Sequence, residues 1–278
     1  MAHFGPKRCI LIKFGGNALS GEGDLKRFGE DIALLMSRGF QPVLVHGGGP
    51  EISQEMERRG LRVVKAAGLR VTDDAALKVA SEVLGRLNSD IVGALRLAGV
   101  PAQGTSAANI GVVCFKKLPV TVKENGTERE VDLGNVGDVD HVHEARLHLM
   151  MARNEVPVIY PIGADPSGNL LNVNADTVAA YVAHSIGAEE MVLMTDVPGL
   201  LRSGEGGKEV IPSATLERID ELISEGVITG GMIPKVDACR VALVHGVRTV
   251  HMLNGKEHHS MVRKLLNSEE IGTTITQG

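Results

Sequence analysis

The stretch Ile12-Lys13-Phe14-Gly15-Gly16-Asn17-Ala18 ends an apolar, strand-like run in a lysine and two glycines. Glycine lets backbone N–H groups close on an anion, and a helix N-terminus beyond it adds positive potential. A lysine at the strand end would hold its ammonium over that anion, although a tight turn with a solvated lysine explains the same residues as well. Leu44-Val45-His46-Gly47-Gly48-Gly49-Pro50 follows the same plan, at the kind of strand end where open α/β sheets bind ligands. A triple glycine with turn duties alone is the alternative there. Neither the G-x-G-x-x-G of dinucleotide folds nor the G-x-x-x-x-G-K-[ST] of P-loops occurs, so a bound nucleotide would need other loops.

Four further stretches carry polar groups at the ends of apolar runs. In Gly68-Leu69-Arg70-Val71-Thr72-Asp73 an arginine precedes a helix capped by Thr72 or Asp73, and its fork of donors suits a carboxylate. A surface salt bridge is the competing explanation. Leu171-Asn172-Val173-Asn174-Ala175-Asp176-Thr177 sets two amides and a carboxylate before an apolar helix, more than one cap requires. An aspartate there could hold two lysines in position without itself reacting. Met194-Thr195-Asp196-Val197-Pro198-Gly199-Leu200 turns a strand end through Asp and Pro-Gly. Ile228-Thr229-Gly230-Gly231-Met232-Ile233-Pro234-Lys235 is a glycine-rich loop whose proline suits a helix's first turn, with Lys235 a second cation near a phosphate.

The elements that must position these groups follow from hydrophobic periodicity. Short apolar runs at Cys9 to Phe14, Pro42 to Val45, Pro157 to Ile162, Met191 to Met194 and Thr249 to Leu253 read as buried strands. Leu25, Phe28, Ile32 and Leu35 recur at helical spacing, as do Leu77, Ala80, Leu84, Leu87, Ile91 and Leu95. This βαβα order predicts an α/β fold with helices covering a mostly parallel sheet. Val120 to Glu124 and Thr127 to Leu133 flank Asn125-Gly126, which suits a type I′ hairpin turn. No linker or repeat separates independent domains, and any division into lobes is expected near Ala183 to Ala188.

Composition excludes several classes of function. A formal net charge of -5 and the lack of a basic tract argue against a nucleic-acid binder. No run approaches the roughly 20 apolar residues of a membrane span, and the first residues lack a signal peptide's hydrophobic region. Cys9, Cys114 and Cys239 have no metal-type spacing and read as buried thiols in a reducing compartment. A soluble cytoplasmic protein is expected.

Taken together and in this order, the six stretches resemble the acetylglutamate kinase branch of the amino acid kinase family, from about Lys7 to Thr274. The resemblance implies a three-layer αβα sandwich with an open, mainly parallel sheet. Its N-terminal lobe, 1–187, would hold the acyl amino acid and the dimer contact, and its C-terminal lobe, 188–278, would hold ATP. It implies ATP-dependent phosphorylation of the γ-carboxylate of N-acetyl-L-glutamate in arginine biosynthesis. Lys13 and Lys235 would stabilise the transferring phosphoryl group, with Asp176 orienting both. Gly48, Gly49, Arg70 and Asn172 match substrate-binding positions, Arg70 taking the α-carboxylate. Thr195, Asp196, Val197, Pro198, Gly199 and Leu200, with Val227, Ile228 and Thr229, match nucleotide-contacting loops, and Gly15 and Gly16 would cradle the moving phosphate. Mg²⁺ would arrive on ATP, without a dedicated protein metal site. Because the nucleophile is a carboxylate, no catalytic base is needed, and His46 reads as structural.

Two stretches depart from the branch, Gly104-Thr105-Ser106-Ala107-Ala108-Asn109 and Asn135 in the hairpin return, both expected near the acyl-substrate pocket. They leave open a kinase for carrier-protein-linked aminoadipate or glutamate. A catalytically silent nucleotide-binding regulator is opposed by the retained Lys13, Asp176 and Lys235, and carbamate kinase by the small size of the 120 to 133 hairpin. Arginine-inhibited members carry an extra N-terminal helix that joins dimers into a ring; only a few residues precede the first strand here, so a homodimer without strong arginine feedback is expected.

Overall fold

A computed structural model describes residues 7–15, 19, 23–124, 127–204 and 207–278. The chain begins with β1 (Arg8–Phe14), α1 (Asp24–Ser37), β2 (Phe40–His46) and α2 (Gly49–Arg58). The short ladder of β3 (Lys65–Ala66) and β4 (Leu69–Arg70) leads into the long α3 (Asp74–Leu97), then β5 (Ala102–Ser106) and β6 (Val112–Lys116). Next come β7 (Val120–Glu124), β8 (Thr127–Val131), β9 (Val136–Val142), α4 (Ala145–Ala152), β10 (Val156–Tyr160), β11 (Ile162–Ala164), β12 (Leu170–Val173) and α5 (Ala175–Ser185). The remainder comprises β13 (Glu190–Thr195), β14 (Leu201–Gly204), β15 (Gly207–Val210), β16 (Ser213–Thr215), α6 (Leu216–Ser224), α7 (Ile233–Val244), β17 (Thr249–Asn254), α8 (Ser260–Asn267) and β18 (Thr273–Thr276).

Eight strands form one sheet in the order β16-β18-β17-β13-β1-β2-β10-β5, parallel throughout except between β17 and β18. β1 lies in its middle and is buried on both faces, which explains its unbroken apolar run. Alternate residues of the strand feed two cores. Ile10, Ile12 and Phe14 pack with Phe28, Ile32, Ile91 and Leu95 of α1 and α3, while Leu11 packs with Val178 and Val182 of α5 and Leu243 of α7. The result is the expected αβα sandwich. The expected boundary at 187/188 falls between α5 and β13; the strands before it build one half of the sheet and those after it the other, joined by the β1–β13 ladder.

Two features depart from the sequence-based expectation. The run Pro157 to Ile162 is not one strand: β10 ends at Tyr160, and Ile162 starts β11 in another sheet. Pro161 between them has no N–H to continue a ladder. The second feature is a small closed barrel, β11-β12-β9-β6, beside the main sheet, with Leu171 and Val139 among its buried side chains. The β7–β8 hairpin pairs as expected from Val120↔Val131 inward, and its Asn125-Gly126 turn lies outside the described residues, as does Gly16.

Candidate active site

Three chain segments remote in sequence bring their functional groups to the C-terminal ends of the central strands. Lys13 is the last residue but one of β1 and is buried. Asn174, in extended conformation, caps α5 by accepting a hydrogen bond from the Asp176 backbone N–H at 2.7 Å, which places Asp176 in the first turn. Pro234 in the first turn of α7 fixes the start of that helix and brings Lys235 to the same point. Oδ1 of Asp176 lies 2.7 Å from Lys13 Nζ and Oδ2 lies 3.1 Å from Lys235 Nζ. Lys235 donates a hydrogen bond to Oδ2, and Lys13 forms a close ion pair with Oδ1.

Asp176 is only 6% exposed. Burial is the largest influence on its carboxyl and pushes the pKa up, but Lys13 and Lys235 together outweigh it and hold the group below the usual carboxylate range. Burial pulls the Lys13 ammonium below its ordinary value, against the attraction of Asp176 and with the repulsion of Lys235. Two cations share one anion, so the triad carries one positive charge in excess. A buried excess charge of this sign attracts a polyanion strongly, because little water screens it.

The glycines beside the triad are needed for close approach. A Cβ on Gly15 would stand 2.8 Å from the Gly47 nitrogen, and the Gly47 N–H donates to the Phe14 carbonyl at 2.9 Å. The two strand-end loops therefore pack backbone to backbone. A Cβ on Gly48 would meet Leu84 and Leu87 of α3 at 2.8 Å, and Gly49 opens α2. His46 sits behind these loops, 1% exposed, with Nδ1 2.8 Å from the Gly47 carbonyl and Nε2 3.1 Å from Asn88 Nδ2. Asn88 also donates to the Val158 carbonyl at 2.9 Å. Burial drives the His46 pKa down to about 4; the Gly47 carbonyl opposes this and Lys13 reinforces it. A neutral ring that donates from Nδ1 and accepts at Nε2 satisfies both contacts, so His46 braces the loop.

Two cavities are lined by residues close in sequence to Asp176 and to Lys235. The smaller, of about 210 Å³, is lined by Gly47, Gly48, Gly49, Arg70, Asn172 and Ala175 among others. It thus gathers all four expected substrate-binding residues, with the N-termini of α2 and α5 opening into it. Arg70 Nη2 donates to the Gly49 carbonyl (2.9 Å) and to Ser53 Oγ (2.7 Å), and Nη1 to Met56 Sδ (3.4 Å). Asn172 Nδ2 donates to Thr72 Oγ1 at 3.2 Å, and Thr72 in turn donates to the Arg70 carbonyl at 2.9 Å.

The larger cavity, of about 670 Å³, is lined by Val197, Gly199, Leu200, Val227, Ile228 and Thr229, together with Lys208, Arg218 and Met232. Its size is within the range of pockets for nucleotide-sized ligands. Thr195, Asp196 and Pro198 do not line it. Thr195 is buried, and its hydroxyl donates to the Val197 carbonyl at 2.7 Å and accepts from the Val197 N–H at 3.2 Å, shaping the turn.

Sequence reasoning missed several residues. Thr273 of β18 is fully buried and pins the 197–200 loop: its Oγ1 accepts from Leu200 N–H at 2.8 Å and donates to the Ile211 carbonyl at 2.6 Å. Lys208 and Lys65 line the two cavities; Lys208 follows Gly206-Gly207, a pair the six stretches did not include, and Lys65 lies three residues before Gly68 with no adjacent glycine to mark it. The expectation for Gly104 to Asn109 is corrected in part. Gly104 and Thr105 line a separate cavity of about 320 Å³ against α4, at the edge of the sheet, and none of the six residues lines the smaller cavity. Asn135 is nearer: its carbonyl accepts from Asn172 N–H at 2.9 Å, and the adjacent Val136 lines that cavity.

Among the described residues no group of three or more His, Cys, Asp and Glu side chains is placed to hold a metal ion, and no helix is long and apolar enough to cross a membrane. Residues 8–254 match the model of the amino acid kinase family. An acetylglutamate kinase from Methanosphaera stadtmanae is 40% identical over 277 residues, covering 96% of this chain and 91% of that protein. A Streptococcus mutans protein of known crystal structure is 31% identical with a TM-score of 0.78, over 97% of this chain and 99% of that one. An N-acetylglutamate synthase from Neisseria gonorrhoeae, crystallised with coenzyme A and N-acetyl-glutamate, is 25% identical with a TM-score of 0.82; the match covers 98% of this chain and 60% of that one. The chain belongs to the amino acid kinase family, in its acetylglutamate kinase branch.

Proposed function

We propose that this protein transfers the γ-phosphoryl group of ATP to the γ-carboxylate of N-acetyl-L-glutamate, with Lys13, Lys235 and Asp176 as its charge centre. The observation that carries this reading is the buried Lys13–Asp176–Lys235 triad, with Asn174 and Ala175 beside Asp176 lining the smaller cavity and Met232, three residues before Lys235, lining the nucleotide-sized one. The relatives named acetylglutamate kinase support the choice of substrate.

A carboxylate is already a nucleophile at neutral pH, so the difficulty lies in bringing one anion against another. At 4 Å two unit charges repel by about 4 kcal/mol at an effective dielectric constant of roughly 20. The ammonium groups of Lys13 and Lys235 offset that repulsion, and they act most strongly as charge spreads over the equatorial oxygens in the transition state. Asp176 touches both and keeps them from turning away when the site holds no ligand. Gly15 leaves room for backbone N–H groups to reach the moving phosphoryl group, and the N-termini of α2 and α5 add positive potential on the acceptor side. Gly48, Gly49, Arg70 and Asn172 hold the acyl amino acid. Val197, Gly199 and Leu200 with Val227 to Thr229 hold the nucleotide, Thr195 shaping the 195–197 turn.

The carboxylate in the triad is already committed to two ammonium groups. Mg²⁺ would therefore be held by the nucleotide's phosphate oxygens, where it neutralises part of their charge. The assembly proposed is a homodimer, and the compartment proposed is the cytoplasm, with which the three free thiols are consistent.

Coupled ADP release with N-acetyl-L-glutamate, free glutamate and N-acyl aminoadipate, compared side by side, tests the substrate. Turnover should be fastest with the first. No turnover of it, or a requirement for a carrier protein, would overturn this reading.

A further inference from the structure

The smaller cavity has a charge pattern that the triad does not explain. Its lining includes two cations, Lys65 and Arg70, and no carboxylate. The two residues face each other across the β3–β4 ladder, Lys65↔Arg70, with Ala67 (φ 48°) and Gly68 (φ 78°) making the turn between the strands. This pairing places both side chains on one face of the hairpin, toward the same opening.

Their commitments differ. Arg70 spends the outer end of its guanidinium on Gly49, Ser53 and Met56 of α2, and so fastens the hairpin to that helix. A carboxylate approaching the Nη1–Nη2 edge would have to displace these contacts. Lys65 is exposed, and its side chain makes no hydrogen bond or ion pair with any described residue. Its ammonium is the uncommitted cation of the cavity.

We infer that Lys65 is a substrate-binding residue that meets the α-carboxylate of the acyl amino acid, sharing with Arg70 a role expected of the arginine alone. The inference rests on the function proposed above. The γ-carboxylate goes to the triad side, and the apolar lining from Ile52, Leu69, Leu84 and Val136 suits the acetyl and methylene groups. The cavity has the volume of about seven waters, which suits a small metabolite. The second carboxylate then needs a cation at the hairpin side.

The test uses two ligands that differ only in that group: N-acetyl-L-glutamate and 4-acetamidobutanoate, which lacks the α-carboxylate. Calorimetric titration of both into the full-length protein, its Lys65→Met variant and its Lys65→Arg variant gives a cycle. Losing a charge-assisted contact should weaken N-acetyl-L-glutamate about tenfold in Lys65→Met. Binding of 4-acetamidobutanoate should change little, and Lys65→Arg should restore most of the difference. Equal weakening of both ligands, or none, overturns the inference. Turnover is measured separately. Binding that follows the cycle in a protein without kinase activity would sink the proposed reaction alone, whereas failure of the unaltered protein to bind N-acetyl-L-glutamate would sink both.

Discussion

Lys235 Nζ stands 3.1 Å from Oδ2 of Asp176, a residue 59 positions earlier in the chain, and the contact ties the start of α7 to the start of α5. Oδ1 of the same carboxylate faces Lys13, so one buried anion sets the positions of two cations on opposite sides. In Asp176→Asn the amide keeps the shape but loses the charge, and the two ammonium groups then repel without compensation. Turnover should fall on the order of a hundredfold or more, as when an electrostatic element of a phosphoryl-transfer site is lost. Steady-state kinetics with ATP and N-acetyl-L-glutamate measure this; a loss of less than threefold would mean that Asp176 does not organise the site.

Lys235 is less buried than Lys13, with its side chain about a quarter exposed against less than a tenth. Lys235→Ala can therefore be filled by water, and the fold should hold. The variant should lose turnover while keeping most of its affinity for ATP, because the larger cavity is lined by residues other than Lys235. Nucleotide titration beside an activity assay separates the outcomes, and parallel loss of both would place Lys235 in ground-state binding instead.

The His46 ring makes stability depend on pH in a defined direction. Its folded pKa is about 4, held down by burial, against about 6.5 in an unfolded chain. The unfolded state thus binds a proton first on acidification. The contribution is fully present above pH 6.5 and is lost as pH falls toward 4, by about 3 kcal/mol in total. Denaturant unfolding of the protein and of His46→Gln at pH 7, 6, 5 and 4 should give a stability difference that shrinks with acidification. A difference constant across that window contradicts a neutral buried imidazole.

Gly104 carries a steric prediction. A Cβ there would lie 2.0 Å from Asn88 Oδ1, and Asn88 is bonded to both His46 and the Val158 carbonyl. Gly104→Ala must displace an amide that is already held, so it should cost about 1–3 kcal/mol of stability and disturb the loop at Gly47. Gly168, where nothing lies within 4 Å of an added Cβ, provides a control for crowding, although its φ of 88° brings backbone strain of its own. Thermal denaturation compares the two, and Gly104→Ala melting with the unaltered protein would show that β5 and α3 are less closely packed than described.

Much of the site could be read directly from residue types. Lys13, Gly47 to Gly49 and Thr195 stand at or just beyond the ends of apolar runs, and a parallel sheet brings such ends to one edge whatever the loops do. Asn174 and Pro234 announce helix starts through capping and a fixed φ, so Asp176 and Lys235 could be assigned to first turns from sequence. These are local effects, carried by a few adjacent residues.

Only the tertiary structure decided what depends on the packing of distant segments. It divided the run from Pro157 to Ile162 between a sheet and a barrel, because the proline's missing N–H ends one ladder and the next strand finds new partners. It removed Gly104 to Asn109 from the smaller cavity, since the β5 edge position follows from strand order and not from composition. It also showed that Arg70 is engaged by α2 while Lys65, unremarkable in the sequence, is uncommitted beside it. Strand order, cross-strand pairing and the sharing of hydrogen bonds arise from contacts tens of residues apart, and no local pattern encodes which of two nearby cations will already have partners.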